Sequence, residues 1–197
     1  MHYYKHKEIE FHVDNPNFLF TQLTVDSHTK DQMKTVIENE QDTANYHGGY
    51  TFEIEDKLFE KLYNTFTVIC EEIFGELHIF EYNRRKCWAN VYNCDSYRSN
   101  LHHHLRTSTI NSVFYLNIPA DDSLNSSGLR TIYNNNEYIF LPDELDLVIM
   151  PSWMPHEPLP HNSKENRIAI NMELQCGKPI NDIYTLTKIY EKCKIII

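Results

Sequence analysis

Beyond residue 87 the sequence breaks into short apolar runs of β type separated by proline-marked turns, and this pattern constrains the fold more than any other feature. Residues 16–118 hold one proline, Pro16, whereas Pro119, Pro142, Pro151, Pro155, Pro158, Pro160 and Pro179 punctuate the rest of the chain, with Asn, Ser and Asp clusters between the runs. Proline locks φ and lacks an N–H, so it interrupts ladders and helices alike. Eight strands are predicted: 88–93 (WANVYN), 101–105 (LHHHL), 111–118 (NSVFYLNI), 128–133 (GLRTIY), 138–141 (YIFL), 146–150 (DLVIM), 154–159 (MPHEPL) and 166–174 (NRIAINMEL). Eight short strands joined by long turns suit a jelly-roll or barrel.

The first 86 residues read differently. Met33, Val36 and Ile37 come after Ser27 and Thr29, a capping region, and Ile54, Leu58, Leu62, Phe66, Ile69 and Ile73 recur at spacings of three and four. Each series predicts a helix with one apolar stripe. Residues 1–86 are therefore expected to be helical support for a β-core over 87–175. Pro179, Asn181 and Asp182, leading into Ile183, Leu186, Ile189 and Tyr190, predict a closing helix over 179–193. The fold class expected for this single 197-residue domain is mainly β with flanking helices.

Composition excludes several function classes. A formal charge of -10, with no Lys/Arg run, disfavours nucleic acid as a partner. No apolar run exceeds four residues, far short of the roughly 20 that span a membrane. The five glycines (Gly48, Gly49, Gly75, Gly128, Gly177) cannot write a dinucleotide or P-loop phosphate cradle. The five cysteines contain no CxxC pair, which points to reduced thiols and a cytoplasmic protein. The wealth of Asn, Ile, Lys and Tyr is what AT-rich coding yields, as in some phage or bacterial genomes. Oligomeric state is not legible.

Histidine is in surplus: 11 residues, three of them consecutive. On a strand, side chains alternate, so His102 and His104 share a face and His103 points away. In an eight-stranded jelly-roll the strand carrying His156 can fold back beside the one carrying His102. Three imidazoles on one face, with the other positions open, suit a catalytic first-row metal. Eleven residues on, the alternating strand RIAINMEL carries Arg167. A buried guanidinium beside a metal is costly unless it meets a carboxylate, which predicts a dicarboxylate cosubstrate held bidentately.

In their order, HHH with VFYLNIP, SSGLRTIY, LPDELDLVIMPSWMPHEP and HNSKENRIAIN resemble the iron(II)- and 2-oxoglutarate-dependent oxygenases, whose core is a double-stranded β-helix. The resemblance covers about residues 86–175. HxH replaces the usual HxD, as in a branch of the prolyl-hydroxylase-like part of the family. It implies His102 and His156 as histidine ligands, His104 at the usual Asp position, and Arg167 on the distal carboxylate of 2-oxoglutarate. Tyr92 and Tyr115 match positions along the cosubstrate pocket, Asn90 could aim its amide at the cosubstrate or serve strand pairing, and Arg106 and Arg130 become candidate substrate contacts. The implied cofactors are Fe(II), 2-oxoglutarate and O2. The implied reaction couples decarboxylation of 2-oxoglutarate to succinate with hydroxylation of an unactivated C–H bond, on a peptidyl, prolyl or amino-acid substrate.

Two other readings stay open: a cupin-like three-histidine metalloenzyme that does not use 2-oxoglutarate, and an inactive jelly-roll binding or structural protein. Cupins place a Glu soon after HxH, and Leu105 to Thr109 offers none. His12-Val13-Asp14 spells HxD but has no preceding strand. Trp88 and Trp153 are expected in packing, and His161 could rim the pocket.

Overall fold

The computed structural model describes residues 19–40, 49–54, 56–79, 87–94, 100–105, 108–121, 126–133 and 135–177. Element order is β1 (Leu19–Gln22), α1 (Ser27–Glu40), β2 (Gly49–Glu53), α2 (Lys57–Phe74), β3 (Cys87–Tyr92), β4 (Ile110–Asn117), β5 (Leu129–Tyr133), β6 (Asn136–Phe140), β7 (Asp146–Pro151), β8 (His156–Pro158) and β9 (Arg167–Leu174). The strands form a six-stranded sheet, β1-β7-β4-β9-β3-β2, and a three-stranded sheet, β6-β5-β8. Every pairing is antiparallel. This is the double-stranded β-helix expected from the sequence. The proposed closing helix 179–193 and the His12-Val13-Asp14 decoy lie outside the described residues.

Both helices start on an aspartate. Asp56 accepts from the Leu58 amide at 2.7 Å, and Asp26 accepts from the Thr29 amide at 2.9 Å. The cap of α1 is therefore Asp26, one residue before the Ser27–Thr29 region expected from the sequence. Such caps are worth about 1 kcal/mol each. The apolar stripe of α2 buries Phe59, Leu62, Phe66, Ile69 and Cys70 completely, and α1 adds Met33 and Ile37. These side chains pack on one face of the large sheet, against Ala89, Phe114, Leu147, Ile149, Ile170 and Met172.

The central strands are covered on both faces, so nearly every residue of β4, β7 and β9 is buried. Period-2 alternation divides them cleanly. In β9, Ile168, Ile170, Met172 and Leu174 join the helix-side core, which turns Arg167, Ala169, Asn171 and Glu173 toward the small sheet. A second, smaller core between the sheets comprises Val113, Tyr115, Leu129, Val148, Met150, Met154 and Ala169.

Three sequence expectations are corrected. LHHHL is not a strand but an extended segment with one bridge, His102 to His156. The strand expected over 154–159 contracts to His156–Pro158. Pro155 and Pro158 bracket the bridging residue and supply no N–H, so a ladder there cannot lengthen. Finally, residues 19–22 and 49–53, read as part of a helical region, are the two edge strands of the large sheet.

Candidate metal centre

The inward row of β9 runs the length of a cavity of about 290 Å³ between the sheets. Register assigns its neighbours. Tyr92 stands opposite Arg167, Asn90 opposite Ala169, and Trp88 opposite Asn171 on β3. On β4, Tyr115 faces Ala169, Val113 faces Asn171, and Asn111 faces Glu173. The cavity thus has a cationic end at Arg167 and a histidine end beside Glu173.

At the histidine end, His102, His104 and His156 each bring one ligand nitrogen, all within 4.8 Å of one another. Although 100–105 is no strand, the alternation expected of one persists: His102 and His104 turn inward and His103 is exposed. Backbone bonds fix the pair. His102 exchanges two with His156, at 3.0 and 2.9 Å, and the His104 amide donates to the Ser152 carbonyl at 2.7 Å. The rings lie 4.6 to 5.1 Å apart between centroids.

The tautomers are set by the partners of Nδ1. The His102 Nδ1 lies 2.8 Å from the Asn100 carbonyl, that of His156 3.0 Å from the Met154 carbonyl, and that of His104 2.5 Å from a Glu173 carboxylate oxygen. Each of these oxygens is an acceptor, so each Nδ1 carries a proton, which in a neutral ring leaves the lone pair on Nε2. Burial favours the same state: it lowers the pKa of His102 and pushes that of His156 down to about 3. The Asn111 side-chain nitrogen approaches the His156 Nε2 only to 3.4 Å, longer than an ordinary N–H hydrogen bond. Three imidazoles with Nδ1 anchored and one ligand nitrogen each brought to within 4.8 Å of the others fit a first-row metal ion.

At the other end Arg167 is 2% exposed. One of its terminal nitrogens donates to the Leu159 carbonyl at 3.3 Å, and its Nε has no hydrogen-bond partner among the described residues. The guanidinium carbon lies 5.2 Å from the Tyr115 ring centre and 5.9 Å from that of Tyr92. Aromatic faces stabilise a cation partly but do not replace an anion. Burial raises the Tyr115 hydroxyl pKa to about 12, so no negative charge comes from there. No carboxylate pairs with Arg167 among the described residues, and a buried charge without a counter-ion is poorly tolerated. A guanidinium so placed can engage a carboxylate bidentately.

Of the residues singled out from sequence, His102, His104, His156, Asn90, Tyr92 and Arg167 line the cavity, and Tyr115 backs Arg167. Arg130 does not line it: its guanidinium is paired with Glu137 at 2.9 Å and Glu157 at 2.6 Å. Arg106 lies outside the described residues. Trp88 lines the cavity, 6.1 Å from the His104 ring, while Trp153 packs on Tyr133 away from it. His161 is buried, its Nε2 3.1 Å from the Tyr92 carbonyl, and supports the end of β3. Sequence reasoning missed Asn111, Asn171 and Glu173. For the last two the signal was present, since even spacing from Arg167 puts Asn171 and Glu173 on the same strand face.

Comparisons with known proteins point the same way. No curated protein matches the chain in sequence. Solved structures do match in fold. A prolyl-4-hydroxylase from Pseudomonas putida is 15% identical with a TM-score of 0.62, over 81% of this chain and 93% of that one. A prolyl hydroxylase from Trichoplax adhaerens, in complex with a hypoxia inducible factor oxygen degradation domain peptide fragment, is 16% identical with a TM-score of 0.63, over 82% and 84%. A 2OG-Fe(II) oxygenase family oxidoreductase from Burkholderia pseudomallei gives 13% and 0.57, over 84% and 88%. The family model described as "Putative 2OG-Fe(II) oxygenase" matches residues 86–173, the stretch that holds the three histidines, Arg167 and the strands around them. Over residues 86–173, its β-core, this chain is similar to the 2OG-Fe(II) oxygenase family.

Proposed function

We propose that His102, His104 and His156 hold Fe(II) through their Nε2 atoms, and that Arg167, flanked by Tyr92 and Tyr115, receives the distal carboxylate of 2-oxoglutarate. The family defines the reaction class: a 2-oxoglutarate-dependent oxygenase whose cofactors are Fe(II), 2-oxoglutarate and O2. When bound, these supply oxidative decarboxylation of 2-oxoglutarate to succinate and carbon dioxide, coupled to hydroxylation of a C–H bond. The chain's own residues contribute placement. The anchored Nδ1 atoms hold three rings without rearrangement, Arg167 and the two tyrosines orient the dicarboxylate, and Val113, Leu129 and Ala169 exclude water.

The observation that carries this reading is the pairing of two incomplete sites in one cavity: three imidazoles whose ligand nitrogens lie within 4.8 Å of one another, and a buried guanidinium that no carboxylate pairs among the described residues. The cavity volume, about 290 Å³, sits at the low end for ligand pockets, roughly 300–1,000 Å³. Occupied by 2-oxoglutarate, it leaves little room for a second whole molecule. The substrate is then a group presented at the mouth, such as a prolyl or other amino-acid side chain of a peptide. The peptide complex of the Trichoplax adhaerens prolyl hydroxylase supports that class.

The test is anaerobic addition of 2-oxoglutarate to the iron-loaded protein, and then oxygen. A visible charge-transfer band and release of succinate are expected, with both absent from His102→Ala and the band weakened in Arg167→Ala. Iron binding with neither band nor succinate would favour a three-histidine enzyme that does not use 2-oxoglutarate.

A further inference from the structure

The three-histidine set lacks the carboxylate that HxD relatives place on the metal, and the structure shows where a carboxylate sits instead. Glu173 is 3% exposed, at the histidine end of the cavity, with an oxygen 2.5 Å from the His104 Nδ1. A carboxylate buried that deeply is retained only if it is well partnered. Its position is imposed by register: Glu173 stands opposite Asn111 on β4, whose amide reaches toward His156, and shares its strand face with Asn171 and Arg167. The Trp88 ring lies 6.1 Å from that of His104, which is nearly parallel to His156, at 12°.

We propose that Glu173 is the positioning residue that replaces the missing acidic ligand from one bond further out. By accepting the Nδ1 proton of His104 it holds that ring with Nε2 toward the metal, and it returns to the site the negative charge that HxH removes. The inference rests on the metal-site reading above and adds a residue that motif matching does not find. Carboxylates behind ligating histidines orient the ring and raise its donor strength, and their loss costs roughly 10- to 100-fold in metal affinity.

The test uses the full chain, stripped of metal, with Co(II) alone as the probe, read by titration and by the ligand-field spectrum. Wild type should bind one Co(II) in a signal absent from His102→Ala. Glu173→Gln, with the same shape but a weaker acceptor, should bind Co(II) roughly 10- to 100-fold more weakly, with an altered spectrum. Glu173→Ala repeats the measurement without any residual amide contact. In a His104→Asp background, where a carboxylate again reaches the metal directly, adding Glu173→Gln should leave affinity unchanged or improve it, because two adjacent negative charges are relieved. Equal affinity in wild type and Glu173→Gln overturns the proposal. So does an equal loss in both backgrounds, which would mean that Glu173 supports the fold and not His104. Failure of wild type itself to bind Co(II) overturns the metal-site reading, a result distinct from either of these.

Discussion

His156 is kept neutral by burial, and that has a cost that can be measured. Its pKa falls from 6.5 in the unfolded chain to about 3 in the fold, chiefly through desolvation and then through His102. Between those values the unfolded chain binds a proton that the folded chain refuses. Stability is therefore full above about pH 6.5 and declines as pH falls toward about 3, by up to about 1.4 kcal/mol per pH unit. Urea unfolding of the metal-free protein at about pH 7 and about pH 5 should show this decline, and His156→Gln should show a shallower one; equal slopes would contradict the effect of burial. Arg167 presents a different case, a guanidinium that is itself 2% exposed. Arg167→Met removes a buried guanidinium that no carboxylate pairs among the described residues, so the metal-free protein should be as stable as wild type or more so. The same variant should weaken 2-oxoglutarate binding by at least tenfold while leaving metal affinity unchanged. Arg167→Lys should recover only part of that loss, since an ammonium cannot engage a carboxylate bidentately. Anaerobic titration of the charge-transfer band reads these affinities directly.

Helix α2 supplies most of the side chains that cover the large sheet, so its stripe is where stability should be most sensitive. Phe66 is fully buried, and Phe66→Ala should destabilise the fold by about 3–5 kcal/mol. Asp56→Ala, which removes the cap, should cost about 1 kcal/mol. Chemical denaturation gives both values, and a cap loss as large as the core loss would mean that α2 depends on its own ends and not on packing. Elements of this kind were legible in the sequence because their periods are strong: the spacing of Leu58, Leu62, Phe66 and Ile69 fits one helix face, and RIAINMEL alternates without a break. The strands 19–22 and 49–53 were not legible, being short and mixed in polarity; they are strands because the large sheet offers edges to pair. LHHHL had the composition of a strand, but its partner segment carries Pro155 and Pro158 and cannot complete a ladder. Glu173 could be placed on the inner face from spacing alone. Its bond to His104 joins residues 69 apart and depends on how β9 lies beside the histidine segment, which no local pattern encodes.

The cavity is lined from both sheets and from the histidine segment, so ligands that fill it hold the whole fold together. Trp88, Asn90, Tyr92, Arg167 and Asn171 come from β3 and β9 of the large sheet, Leu129 and His156 from β5 and β8 of the small one. A ligand bound to such a site stabilises the native state by about 2.7 kcal/mol at a hundredfold excess over its Kd. In a domain of this size that raises Tm by about 5–10 °C. The two ends of the cavity make the order of binding informative. Because 2-oxoglutarate would engage both the metal and Arg167, it should stabilise the metal-free protein little, while Mn(II) and 2-oxoglutarate together should raise Tm by more than the sum of their separate shifts. In Arg167→Met the Mn(II) shift should remain and the extra shift with 2-oxoglutarate should vanish; in His102→Ala both should vanish. An equal 2-oxoglutarate shift with and without Mn(II) would show that the cationic end binds the dicarboxylate by itself. The histidine end would then hold its metal for some purpose other than the chemistry of 2-oxoglutarate.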